Sequence, residues 1–104
     1  MKLFFSHIGI PTTEQQENEI YEKELCIFRR DAADSPLNIE YLRFLPESQL
    51  PLDLSRHPHV GYETDHIEQA LTLMDQVLFG PWFNGTETIA FARKDGLLFE
   101  FIQP

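Results

Sequence analysis

The chain carries nearly the same short motif at two places half its length apart, and this internal repeat constrains the fold more than any other feature. Ser-His-Ile-Gly-Ile-Pro-Thr occupies residues 6–12 of the 104, and Pro-His-Val-Gly-Tyr-Glu-Thr occupies residues 58–64. His7 and His59 take equivalent places in the two copies. The repeat predicts two similar halves, each of which presents one histidine from a β-strand.

Composition indicates one folded domain and excludes several classes of partner. A chain of 104 residues forms a single modest core, and 42% hydrophobic residues with nine Phe favour folding over disorder. The net charge of −9 repels phosphate backbones and anionic lipid headgroups, so neither nucleic acid nor a membrane is an expected partner. Cys26 is the only cysteine, which excludes an internal disulfide. With no signal-peptide pattern and no apolar run near the ~20 residues of a membrane span, we expect a cytoplasmic protein.

Turn and strand signals in the first half predict a βαββ module, about residues 1–45, followed by a linker, about residues 46–56. Thr13 and Gln16 can form a capping box that opens a helix. The predicted elements are strands at 3–10, 26–30 and 37–45 and a helix at about 14–25.

The second half, about residues 57–104, predicts a βαβββ module, so that the whole chain is one α+β domain with mainly antiparallel pairing. Asp65 and Glu68 form the next capping signature, and apolar residues follow at helical spacing. The dipeptide Asp95-Gly96 is a strong hairpin signal between the last two strands. The predicted elements are a strand at 57–63, a helix with Ile67, Ala70, Leu71, Met74 and Leu78 on one face, a turn-rich aromatic segment at 79–85, and strands at 86–94 and 97–103.

The register of that hairpin places a carboxylate on an apolar face. With Asp95-Gly96 as the turn, Phe91 lies opposite Glu100, and alternate residues of a strand point to opposite sides. An unpaired carboxylate among apolar neighbours is costly, and a metal ion compensates it better than Arg93, which lies near the end of the hairpin. The predicted face comprises Ile89, Phe91, Arg93, Leu98, Glu100 and Ile102.

Two histidines and two acids form a candidate set of metal ligands: His7, His59, Glu100, and Glu40 in the strand-like Ile39-Glu40-Tyr41-Leu42. Two imidazoles with one or two carboxylates suit Zn, Ni, Co, Mn or Fe. Such an ion polarises a substrate oxygen, and a neighbouring carboxylate can move a proton. The alternatives are a structural role for each histidine and, for Glu40, a solvated charge on an edge strand.

At these residues the chain resembles the vicinal oxygen chelate superfamily, which includes glyoxalase I, methylmalonyl-CoA epimerase, extradiol dioxygenases, and the bleomycin- and fosfomycin-resistance proteins. The resemblance covers nearly all of residues 1–104 and rests on the two histidine motifs, on Ile39-Glu40-Tyr41-Leu42 and on Asp95-Gly96-Leu97-Leu98-Phe99-Glu100. It implies a single glyoxalase-like domain in which two βαβββ-type modules form a cupped sheet around one divalent metal. By this resemblance His7, Glu40, His59 and Glu100 would hold the metal, and Glu40 or Glu100 would act as the catalytic base.

Two features depart from the family pattern. The segment from His7 to Glu40 is shorter than the segment from His59 to Glu100, so the first module is expected to be shortened, either by loss of a strand or by a smaller hairpin. Glyoxalase I carries an Arg shortly after its first metal-binding His, whereas Ile8-Gly9-Ile10-Pro11 follows here. A glutathione thiohemiacetal is therefore not the expected substrate.

Four further residues are candidates for binding a substrate. Arg93 could pair with a substrate anion, and the alternative is a solvated charge near the hairpin. Trp82 and Phe91 are candidate walls of a pocket, and the alternative is aromatic packing in the core. His57 shares the predicted face of His59 and is expected at the rim of the site rather than on the metal.

The resemblance implies a metal-dependent lyase or isomerase that acts on a small oxygenated substrate by metal polarisation and proton abstraction. One alternative is an Fe(II) extradiol-type dioxygenase that uses His7, His59 and Glu100 as a two-His-one-carboxylate site. Another is a non-catalytic small-molecule binding protein of the same fold. A shortened module leaves a sheet edge exposed, which natural proteins cover, so a homodimer is expected.

Overall fold

Strand β1, Leu3–Pro11, runs through both of the compact units into which the chain divides. The computed structural model describes residues 1–104. We refer to His7–Pro58 as the first unit, and to Met1–Ser6 together with His59–Pro104 as the second unit. No helix of the protein has the length and apolar character needed to cross a membrane.

The first unit is a small mixed sheet. Besides β1, its elements are β2 Ile20–Glu22, β3 Ile27–Arg30, β4 Ile39–Phe44 and the 3-10 helices Ala32–Asp34 and Leu52–Ser55. The strand order is β2-β3-β4-β1. β1 pairs with β4 in parallel, whereas the β2–β3 and β3–β4 pairings are antiparallel.

The second unit repeats this arrangement and adds a helix. Its elements are β5 His59–Thr64, α1 Ile67–Leu71, β6 Gln76–Phe83, β7 Thr88–Lys94 and β8 Leu97–Gln103. The strand order is β5-β8-β7-β6, with β5–β8 parallel and the β6–β7 and β7–β8 pairings antiparallel. In both units, therefore, the first strand pairs in parallel with the last, and the two strands between them supply the crossover that a parallel pair requires. The predicted α+β fold of two modules is confirmed.

The helix predicted at about 14–25 is wrong. Residues 13–19 form bends and turns, and residues 20–22 form β2. A helix of this length gains most of its stability by burying an apolar face, and this segment has few apolar residues to bury. Asn18 also adopts a left-handed φ of 59°, which interrupts a right-handed helix. The first module keeps four strands, so the expectation of a lost strand is wrong. The alternative of a smaller hairpin is confirmed, because β2 and β3 have three and four residues whereas β6 and β7 have eight and seven.

An ion pair fastens the loop that stands in place of this helix. Glu19 accepts hydrogen bonds from both Nε and Nη2 of Arg43 on β4, at 3.0 and 2.7 Å. The Arg43 guanidinium lies 4.3 Å from the centre of the Phe28 ring, a cation–π contact. The hydrogen bonds from Arg43 lower the pKa of Glu19.

The second helix is shorter than predicted, because the chain after Leu71 changes to a strand. α1 ends at Leu71, and Leu78, which the helical pattern included, lies within β6. Val77 pairs with Ala92 of β7, and this pairing outweighs the local 3.6-residue pattern. The aromatic segment at 79–85, predicted as a turn, continues β6 to Phe83 with two register shifts against β7.

The last hairpin has the predicted register. Asp95 and Gly96 both have positive φ, 51° and 77°, as a type I′ turn requires. Phe91 is the partner of Glu100 across β7 and β8. The two faces of this hairpin therefore differ, as predicted from side-chain alternation.

The core of the second unit lies between α1 and the face of β7 and β8 that points away from Glu100. Each large apolar side chain buried in this core contributes about 1.5–3 kcal/mol to the stability of the folded protein. Phe99 and Tyr62 pack against this core. Its buried members are Ile67, Ala70, Leu71, Ala90, Ala92 and Phe101.

Candidate metal centre

Each unit presents one histidine and one glutamate from a pair of neighbouring parallel strands. In the second unit Gly61 of β5 lies opposite Glu100 of β8, and His59 precedes Gly61 by two residues on the same strand. In the first unit Gly9 of β1 lies opposite Glu40 of β4, and His7 holds the equivalent place. Because residues two apart on a strand share a face, the same register brings a histidine beside a glutamate in both units.

The pair in the second unit is buried among apolar side chains. Nε2 of His59 lies 3.4 Å from Oε1 of Glu100, and the two residues are 1% and 8% exposed. The ring of Phe91 meets the His59 imidazole edge to face, with centroids 5.3 Å apart. Ile89 and Leu98 on the same face are also buried. A carboxylate in such surroundings is costly without a compensating cation.

The pair in the first unit also has a buried histidine, but its glutamate lies near charged side chains. Nε2 of His7 lies 3.9 Å from Oε1 of Glu40, and His7 is 3% exposed. Strand β4 lies between β3 and β1, so Glu40 is not on an edge strand. The other oxygen of Glu40, Oε2, lies 3.9 Å from Nη1 of Arg29.

Arg29 on β3 links three carboxylates of the first unit. Its Nε donates to Glu22 at 2.7 Å and its Nη1 donates to Asp31 at 3.2 Å, while Glu40 lies slightly farther away. Burial by itself lowers the pKa of Arg29. The hydrogen bond to Glu22 and the negative charge of Glu40 together raise this pKa by more, so that the net shift is upward. The Ala33 backbone N–H and Arg29 together hold the pKa of Asp31 below its ordinary value.

The two units differ at the position that Arg29 occupies. Arg29 is the partner of Leu42, two residues beyond Glu40, and in the second unit Ile89 is the partner of Ile102, two residues beyond Glu100. A guanidinium in one unit thus corresponds to an aliphatic side chain in the other. Arg29 was not among the site residues predicted from the sequence. Its place on the predicted strand that precedes the strand of Glu40 was a signal that could have identified it.

The donor set fits a divalent transition metal. Tetrahedral ligands at about 2.1 Å from an ion lie about 3.4 Å from each other. The His59–Glu100 distance of 3.4 Å matches this spacing, and the His7–Glu40 distance of 3.9 Å is slightly longer. Two imidazoles and two carboxylates also balance the charge of a divalent ion, with nitrogen and oxygen donors that suit Zn, Ni, Co, Mn or Fe.

The other predicted site residues lie at varied places. Phe91 contacts His59 as described, and Phe79 links Phe91 to Trp82 through ring contacts, each with centroids 6.2 Å apart. Arg93 is half-buried on β7, where its Nη1 donates to Oε1 of Gln76 at 3.0 Å. His57 is exposed in the turn before β5. A substrate-binding role for Arg93, Trp82, Phe91 and His57 stays a prediction.

A separate cleft of about 690 Å³ lies in the first unit, where β1 and β4 end. None of the four candidate ligands lines it. Thr12, Ser48 and Ser55 supply hydroxyl groups to its wall, and Phe44 and Leu50 supply apolar surface. This cleft is therefore distinct from the two His–Glu pairs.

Comparison with known proteins defines the class of fold. Neither a protein-family model nor a curated protein sequence matches the chain. A crystal structure of a hypothetical protein from Bacillus halodurans C-125 is similar with a TM-score of 0.66 and 17% identity, over 100% of this chain and 96% of that one. A crystal structure of methylmalonyl-CoA epimerase from Mycobacterium tuberculosis is similar with a TM-score of 0.60 and 16% identity, over 96% of this chain and 87% of that one. At this identity the two likenesses show the fold alone: the chain shares the fold of these two proteins over nearly its whole length.

Proposed function

We propose that the protein is a metal-dependent enzyme of the isomerase or lyase type, acting on a small oxygenated substrate. His7, Glu40, His59 and Glu100 would together bind one divalent ion. The observation that carries this proposal is the repeated His–Glu pair, which occurs in both units in the same strand register. Neither histidine nor Glu100 is more than 8% exposed. Charged side chains are rarely buried to this extent unless they are paired with an opposite charge or a metal ion.

The likeness of fold supports the isomerase type. The name epimerase denotes an isomerase, and the fold of this chain accommodates that class of reaction in the similar protein. The absence of an Arg after His7 disfavours a glutathione adduct as substrate. We therefore propose a substrate that carries a carbonyl or hydroxyl oxygen next to an acidic carbon.

The side chains of the site divide the work of such a reaction. A bound divalent ion supplies Lewis-acid polarisation of the substrate oxygen. Glu40 or Glu100 accepts the proton from the adjacent carbon on a carboxylate oxygen and returns it to the product. The imidazoles of His7 and His59 hold the centre in place, and Phe91 keeps water from the side of His59.

A second candidate function follows from the neighbours of Glu40. Arg29 partly compensates the charge of Glu40, and this would leave His7, His59 and Glu100 as the principal ligands. That donor set is the two-His-one-carboxylate arrangement of Fe(II) oxygenases. A dioxygenase would consume oxygen and keep its metal in Glu40→Gln, whereas the proposed isomerase or lyase would lose activity in that variant without consuming oxygen.

Metal content of protein purified without a chelator or an affinity-tag metal tests the proposal. We expect about one transition-metal ion per chain, lost in His59→Ala and kept in His66→Ala, because His66 is exposed and belongs to neither His–Glu pair. The expected metals are Zn, Ni, Co, Mn and Fe(II). A wild-type protein that holds none of them, and takes up none when each is offered, would overturn the enzyme proposal in favour of a small-molecule binding protein.

A further inference from the structure

Arg29 is itself held rigidly in the first unit. Its hydrogen bond to Glu22 connects it to the neighbouring strand β2, and its bond to Asp31 connects it to the start of the following turn. Asp31 in turn accepts the Ala33 backbone N–H at 2.9 Å. A guanidinium with two charge-assisted hydrogen bonds has a fixed position and is not available to bind a substrate anion.

The two oxygens of Glu40 face different partners. Oε1 lies 3.9 Å from Nε2 of His7, and Oε2 lies 3.9 Å from Nη1 of Arg29. Glu100, by contrast, has Ile89 at the place that corresponds to Arg29. The first unit therefore places a fixed guanidinium near its carboxylate, at a position where the second unit has an aliphatic side chain.

We propose that Arg29 is a positioning residue for Glu40, which it orients so that only Oε1 is available to the metal. This inference rests on the proposed metal centre. Arg29 competes with a metal ion for the charge of Glu40, so Glu40 binds the ion more weakly than Glu100 does. Glu40 is then the carboxylate that leaves the ion more readily, and thus the base of the proposed proton transfer.

Cobalt(II) titration tests the inference, with visible absorption as a readout that does not depend on any activity. We expect Arg29→Met to bind about one Co(II) per chain with an affinity about tenfold higher than the wild type, because Glu40 no longer shares its negative charge with a guanidinium. Its absorption bands should change, because both Glu40 oxygens become available. Arg29→Lys, which keeps the charge, should retain the wild-type affinity. A merely structural role for Arg29 would lower the affinity of both variants.

A double-mutant cycle shows whether Arg29 acts through Glu40. The gain in affinity from Arg29→Met should disappear when Glu40 is already Gln, and persistence of the gain would overturn the inference. Arg43→Met serves as the control, since Arg43 forms the other Arg–Glu pair of the first unit and no described contact joins it to Glu40. If circular dichroism shows that Arg29→Met does not fold, Arg29→Gln carries the same expectation with hydrogen bonding retained.

The proposed metal centre and the proposed role of Arg29 are distinguished by different outcomes. A wild-type protein that binds no Co(II) overturns the proposed metal centre itself. A wild-type protein that binds Co(II), with an Arg29→Met variant of unchanged affinity and spectrum, overturns the role of Arg29 alone.

Discussion

Glu100 lies directly opposite Gly61 across the parallel strands β5 and β8. Glycine carries no side chain, so β5 places no side chain beside the carboxylate at this register position. Glu40 has the same relationship to Gly9 across β1 and β4. The repeat seen in the sequence is therefore a repeat of strand register, and this register places a buried imidazole beside a carboxylate in each unit.

Metal binding should stabilise the fold, and Glu100 should carry much of the effect. At a free ion concentration 100 times Kd, we expect the free energy of unfolding to rise by about 2.7 kcal/mol. Glu100→Gln should lose most of this gain, and its metal-free form should be more stable than the metal-free wild type, because Glu100 is buried among apolar residues. Denaturant unfolding with and without Zn measures both. Glu63→Gln, an exposed acid on β5, is the control, and a full gain retained in Glu100→Gln contradicts the prediction.

Gly80 in β6 should not tolerate a side chain. Its φ is +79°, and a Cβ there would lie 2.5 Å from the carbonyl oxygen of Ile89. We expect Gly80→Ala to destabilise the protein by about 2–3 kcal/mol through strain and displacement of the neighbouring strand. Gly85→Ala is the matched control, because Gly85 has a φ of +104° but open space around it and should cost only about 1 kcal/mol. Equal melting temperatures for the two variants would contradict the clash.

The Glu19–Arg43 pair should make stability depend on pH in the acid range. The hydrogen bonds from Arg43 lower the pKa of Glu19 in the folded protein, so the pair contributes stability above the ordinary glutamate pKa of about 4.3. The contribution is lost as the pH falls through the lowered folded-state pKa. Glu19→Gln should therefore unfold at a lower denaturant concentration than the wild type at pH 7, with a difference that vanishes in strong acid. Glu17→Gln, in the same loop, should leave the midpoint unchanged at both pH values.

We expect the protein to form a homodimer. β2 is an outer strand of the first unit and β6 is an outer strand of the second, and exposed strand edges are a liability in a monomer. Both edges carry exposed apolar side chains, Tyr21 on β2 and Val77 on β6. Light scattering at micromolar concentration should give twice the chain mass of 12.2 kDa. Tyr21→Lys and Val77→Lys then identify the edge in contact, and a wild-type monomer contradicts the expectation.

Local signals in the sequence were sufficient for the register of the last hairpin and for placing the four candidate ligands on strands. A two-residue Asp-Gly turn has one favoured register, so the partnership of Phe91 with Glu100 followed from counting residues. The histidine motifs repeat within single strands, where side-chain alternation is a local property. The α+β class followed because most strands carry their own turn signals.

Long-range packing accounts for what the sequence did not reveal. Whether residues 14–25 form a helix depends on an apolar face and a surface to bury it against, and the capping pattern carries no information about either. Leu78 lies in β6 because its neighbours Val77 and Phe79 pair with Ala92 and Phe91 of β7, and this pairing outweighs a helical pattern of local origin. Arg29 lies near Glu40 because of the register in which β3 pairs with β4. Residues 31–38 connect these two strands, and this connection contains no tight turn from which the register could be predicted. Local rules thus specify the ligand types and their strands, while the charged surroundings of Glu40 arise only when distant segments of the chain are packed together.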